Sequence, residues 1–191
     1  MSLMEDLRVR IGLESDDTSR DAEIEVVKGT SFALMGNYCD RTFPLGIDVV
    51  EQFTHKVGLA LALKRYPVDT VTSILDQDDK EFTDYHIEPD TGIVHLDFRC
   101  AFHQVFVTFT GGYDEDELPA DLLMAFYAVF DQEWAIYEGG AVSSSGEISS
   151  ISVVDVGTIR YDTNAADTSG EGDYLPDRAK SLLMSYMRQK C

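Results

Sequence analysis

Along residues 105–110, apolar and smaller positions alternate. Val105, Val107 and Phe109 fall on one side of an extended chain, and Phe106, Thr108 and Thr110 fall on the other. That period of two predicts a strand with unequal faces, and Gly111-Gly112 stops it. After an acidic loop the period changes. Pro119 suits a first helical position, Asp121 is favoured in the first turn by the helix dipole, and Gly139-Gly140 is a C′ stop. Between these limits Leu122, Leu123, Ala125, Phe126, Val129, Phe130, Trp134, Ile136 and Tyr137 leave a narrow polar stripe, so the spacing predicts a long apolar helix. One small domain offers too little cover for such a surface. A partner subunit is therefore expected against Leu122, Phe126, Val129, Phe130 and Trp134.

Elsewhere the pattern gives a short helix over residues 5–13 and a clearer one over 22–39. In the second, Ile24, Val27, Ser31, Leu34 and Tyr38 recur at helical spacing, and Ser15, Asp16, Asp17 and Thr18 offer capping oxygens. Gly29 and Gly36 either loosen this helix or admit another backbone. Large and small residues alternate over 57–63, and 68–75 is β-prone after Tyr66-Pro67. Pro89-Asp90-Thr91-Gly92 separates two short runs, 85–88 and 93–96, as a hairpin turn does. Together these predict an α+β chain: a helical bundle of N-terminal helices plus the long apolar helix, an antiparallel meander inserted at about 46–112, and a C-terminal arm. Residues 1–162 are read as a single α+β domain, with an extended segment over 151–161. Residues 163–174 read as an acidic linker and 175–191 as a terminal helix. On that helix Leu182, Leu183, Tyr186 and Met187 share one face, and Arg178, Lys180, Arg188 and Lys190 supply charge. A basic, apolar-striped helix on a flexible tether is suited to docking. A terminal helix folded onto its own domain is the alternative.

Charge sharpens the picture. The chain of 191 residues has a formal net charge of −20, and no Lys or Arg falls between Arg99 and Arg160. Asp114, Glu115, Asp116 and Glu117 head the acids in that interval. Such a surface repels phosphate and disfavours nucleic-acid binding by charge neutralisation. It reads either as a solvated face that aids solubility or as a surface past which DNA slides without sticking. No run of 18 apolar residues is present and acids lie near the N-terminus, so neither a membrane span nor a signal peptide is expected. Cys39, Cys100 and Cys191 are odd in number without a CxxC, which predicts buried free thiols and cytoplasmic folding.

Candidate chemistry is thin. His55, His86, His95 and His103 are the neutral-pH bases, with Asp97 and Cys100 near in sequence, but no zinc spacing occurs and no metal site or cofactor is expected. The 76–80 loop lacks the glycine and terminal glutamate of a calcium loop. Residues 144–146 form no nucleophile elbow, and Gly111-Gly112 lacks a phosphate loop's lysine. The chain is not expected to be an enzyme.

The order of these signals carries a resemblance. Asp21-Ala22-Glu23-Ile24-Glu25 leads to Tyr38-Cys39-Asp40-Arg41-Thr42-Phe43, then Tyr66-Pro67-Val68 and Thr91-Gly92-Ile93-Val94-His95-Leu96. Val107-Thr108-Phe109-Thr110-Gly111-Gly112-Tyr113 and Leu118-Pro119-Ala120-Asp121-Leu122 follow, and residues 149–156 precede Leu175-Pro176 and the Leu182, Tyr186, Arg188 ending. Over nearly its whole length the chain resembles the head-tail adaptor (connector, or head completion) proteins of tailed bacteriophages. The resemblance implies a ring of about twelve identical subunits beneath the portal, with helices around the channel. Portal protein and a tail or tail-completion protein would be partners, and DNA would pass without specific binding. It also implies synthesis in the host cytoplasm and a final place in the virion neck. Under it Arg178, Lys180, Leu182, Leu183, Tyr186, Met187 and Arg188 would dock the portal, and Asp114, Glu115, Asp116 and Glu117 would line the channel. The alternatives are a small-ligand or protein-binding module with a β-barrel pocket, another neck or tail-completion protein, and, more remotely, a hydrolase.

Overall fold

The Ser2 hydroxyl accepts from the Glu5 amide while the Glu5 carboxylate accepts from the Ser2 amide, a capping box that starts helix α1 (Leu3–Arg10) earlier than hydrophobic spacing alone placed it. The computed structural model describes residues 2–54, 60–96, 104–139, 150–153, 157–160 and 175–188. The predicted linker 163–174 and the serine-rich stretch 143–146 lie outside the described residues, as do His55, His103, Cys100 and Cys191. Helix α2 (Asp21–Cys39) has Arg20 at its N-cap with no side-chain bond; Asp17, expected to help cap it, instead accepts from the Ser19 amide one turn earlier. Gly36 proves to be a close-approach glycine, since a Cβ there would lie 2.6 Å from the Arg41 carbonyl oxygen. Helix α3 (Ala120–Tyr137) starts after Pro119, and helix α4 (Asp177–Leu183) continues into a 3-10 turn, Met184–Tyr186.

The strands are β1 (Gly46–Thr54), β2 (Ala60–Ala62), β3 (Val68–Asp76), β4 (Tyr85–Glu88), β5 (Ile93–Leu96), β6 (Gln104–Gly111), β7 (Ser150–Val153) and β8 (Gly157–Arg160). With the helices they make the chain α+β. The expected single meander is corrected by the pairing. β6 sits in the middle of one antiparallel sheet, order β1-β6-β3, a second has the order β2-β5-β4, and β7 pairs with β8. The reason is β1, which sequence reading missed: a register shift between Gly46 and Val49 and a positive φ at Asp48 break its alternation. The hairpin of β4 and β5 matches its predicted limits.

Two apolar clusters hold these layers. Phe53, Ile74, Val107 and Phe109 of the first sheet meet Leu61, Val94 and Leu96 of the second. Between the helices Leu7, Ile24, Phe32, Met35, Phe126, Phe130 and Leu183 form the other core. Each large side chain so buried is worth roughly 1.5–3 kcal/mol. Helix α3 is packed between α2 and α4, while its Asp121, Met124, Asp131 and Ala135 remain exposed. It is amphipathic rather than apolar all round.

Candidate assembly surface

Leu122, Phe126, Val129, Phe130 and Trp134, expected to face a neighbouring subunit, are buried within this chain: Phe126 and Phe130 are both 0% exposed. That expectation is corrected. Phe126 stacks on Phe32 with ring centroids 4.5 Å apart, Phe130 stacks on Trp134, and the Arg20 guanidinium lies over the Trp134 ring. The sequence showed how much apolar surface α3 carries, but not that α1, α2 and α4 of the same chain cover it.

The terminal segment is likewise seated on its own body. Ala179 and Leu183 are fully buried, Leu182 and Tyr186 half-buried, and the Cys39 thiol reaches the Leu183 carbonyl at 3.7 Å. The Tyr186 hydroxyl donates to Asp121 at 2.6 Å, which with burial raises the tyrosine's pKa. Arg188 donates to the Ala62 carbonyl and reaches Asp40, and its amide donates to the Cys39 carbonyl. The buried side of α4 therefore cannot serve as a free docking stripe. Its outward side keeps Arg178, Met184 and Met187 exposed.

A junction that sequence reading did not single out joins the helices to the sheets. Arg41, 4% exposed, stacks over the Tyr66 ring at 3.4 Å and lies within cation–π range of Phe43, Tyr113 and Tyr186. It donates to the Tyr66 carbonyl, its Nε has no hydrogen-bond partner among the described residues, and burial lowers its pKa. Around it the Tyr113 amide donates to the Phe43 carbonyl and the Gly112 amide to the Pro67 carbonyl. Its only sequence signal was Arg41 beside aromatic residues.

The acidic loop is partly built into the structure. Asp116 accepts from the Leu3 amide at the start of α1, and Glu115 pairs with Lys28 at 2.7 Å. Lys28 is buried, which alone would lower its pKa, but the hydrogen bonds it donates to the Glu115 and Glu25 carboxylates outweigh that and raise it. Asp114, Asp116 and Glu117 are exposed. Beside them runs a groove whose two sections, of about 370 and 470 Å³, share Glu25, Lys28, Pro44 and Glu115 as walls. Phe32, Gly29 and Ala33 line the larger section.

His86 and His95 face each other across the β4–β5 hairpin, ring centroids 6.3 Å apart, and His95 Nε2 lies 3.1 Å from Glu88. Among the described residues no group of three or more His, Cys, Asp or Glu is disposed to hold a metal, and no helix is long and apolar enough to cross a membrane. In the β core Leu61, Val94, Val107 and Phe109 are 0–1% exposed and fill the space between the two sheets among the described residues.

No protein-family model and no curated protein matches the sequence. Solved structures do. A chain from the neck of a native gene transfer agent (GTA) particle, computed with C12 symmetry, superposes with a TM-score of 0.54 at 16% identity, covering 98% of this chain and 90% of that one. A chain from the neck of an empty GTA particle, computed with C6 symmetry, gives 0.53 at 18% identity, covering 90% of this chain and 80% of that one. A chain from the virion of a native gene transfer agent particle gives 0.53 at 18%, covering 94% and 84%. The chain thus shares its fold, over nearly its whole length, with components of phage-like neck and virion assemblies.

Proposed function

We propose that this protein is a structural subunit of the neck of a tailed phage or phage-like particle. About twelve copies form a ring below the portal, join the capsid to the tail or tail-completion protein, and leave a channel for DNA. The observation that carries this reading is the shared fold with GTA neck chains over 90–98% of this chain. Its helices act as the bundle that builds the ring. The exposed carboxylates of Asp114, Asp116 and Glu117 are suited to a channel wall, because a polyanion is not trapped by a surface that repels it. The role is structural rather than catalytic. Subunits are made in the host cytoplasm and finish in the virion neck.

The test is reconstitution. Purified full-length chain is added to DNA-filled, portal-bearing capsids that lack their neck, and the portal vertex is imaged by electron microscopy. A ring of sixfold or twelvefold symmetry at that vertex is the expected outcome. A chain that stays free of portal-bearing capsids under all conditions overturns the reading.

A further inference from the structure

Closed rings are heterologous: one surface of each subunit meets a different surface of the next. The proposal below rests on the ring reading above and names those two surfaces. In the helical layer the main packing is of α2 on α3 and of α3 on α4, and the end of α4 meets the last turn of α2 at Cys39. The outer side of α2 and the outer side of α4 are thus turned away from each other across α3.

Their chemistry is complementary. The α2 side carries the groove described above, with Phe32, Gly29 and Ala33 as its apolar lining and Glu25, Asp114, Glu115 and Asp116 along its walls. Of its two cations, Lys28 is already engaged by Glu25 and Glu115, and Arg41 is buried against the Tyr66 ring. Residues 175–188 are the reverse, with Arg178, Lys180 and Arg188 against a single acid, Asp177, in a chain of net charge −20. Met184 is 68% and Met187 45% exposed on that segment, unbranched side chains that adapt to an irregular apolar surface.

We infer that the groove beside α2 receives the outward side of the α4 segment from a second copy of this chain, Met184 and Met187 entering between Gly29 and Ala33 while Arg178 meets the carboxylates of the groove wall. The contact gives an acidic protein an attractive register between neighbours that would otherwise repel.

Two variants probe opposite sides of the contact without touching a core. Gly29→Gln fills the groove, since a Cβ at Gly29 meets nothing within 4 Å, and Met184→Asp places a carboxylate opposite carboxylates. Circular dichroism of each full-length variant should match wild type. On portal-bearing capsids each should reduce complete rings at least tenfold. A doubly substituted chain, Ala33→Cys with Met184→Cys, should form a ladder of disulfide-linked oligomers on oxidation, absent from either single variant. If wild type forms rings and both blocking variants form them equally, or if the double variant gives no ladder within intact rings, this contact is wrong while the neck reading stands. Rings that form from Met184→Asp in solution but no longer hold to the portal also overturn it, by assigning the α4 surface to the portal. Absence of any wild-type ring instead defeats the neck reading.

Discussion

Phe126 lies between Phe32 and Phe130, and none of its surface reaches solvent. Phe126→Ala should therefore lower the stability of the isolated subunit by about 3–5 kcal/mol, read by urea unfolding at concentrations where no ring forms. A stable monomer that merely fails to assemble would instead return Phe126 to an interface. At the same scale Tyr186→Phe removes the bond to Asp121 and should cost about 1 kcal/mol by the same measurement. Titration adds a third outcome. Burial pushes the Cys39 thiol up to about 11 from its ordinary 9.0, and burial with the bond to Asp6 pushes Tyr127 up to about 12 from its ordinary 10.0. Between those limits the unfolded chain releases protons that the native chain retains, so stability falls as pH rises from about 9 to 12. Thermal unfolding across that window checks the sign, and Cys39→Ala with Tyr127→Phe should flatten the slope.

Elements were read most securely where local chemistry fixes both ends. Pro119 and Gly139 bound α3, and the turn at Gly92, with φ of 68°, fixes the β4–β5 hairpin. β1 escaped notice because its bulge removes the alternation on which strand reading depends. The Phe43–Leu45 segment and the Gly111–Tyr113 turn hold helices and sheets together, and Gly112 is required there. Its φ is +101° and a Cβ would lie 2.6 Å from the Pro44 carbonyl oxygen. Gly112→Ala should destabilise the fold by roughly 1–3 kcal/mol or more, measured by thermal melting. Helix α4 is the element whose role changed most. Because Leu183 is 0% exposed, deletion of residues 175–191 should leave a less stable, partly unfolded body rather than an intact one lacking an arm. Circular dichroism and hydrogen exchange at α3 distinguish these.

At the scale of the whole molecule, a subunit with formal charge −20 must approach copies of itself. Ring formation should therefore strengthen as ionic strength rises from very low to about 0.15 M, where the screening length shrinks to about 8 Å. The gain should reverse at higher salt if Arg178 contributes an attractive contact. Light scattering across a salt series gives the curve, and a monotonic loss of rings from the lowest salt upward contradicts this charge balance.

Sequence by itself determined the α+β class, the ends of α3, the β4–β5 hairpin, the strand over 105–110 and the acidity of the 114–117 loop, because each depends on neighbours in the chain or on composition alone. It also carried the order of motifs behind the adaptor resemblance. Which surfaces are inside was decided only by tertiary structure. The apolar faces of α3 and α4 have the same pattern whether they meet each other, α2 or another molecule, since burial free energy depends on area removed from water and not on whose atoms remove it. Arg41 in its aromatic surround and the groove beside α2 were beyond sequence for the same reason. Each is assembled from residues far apart in the chain, and only the packing of helices against sheets brings them together.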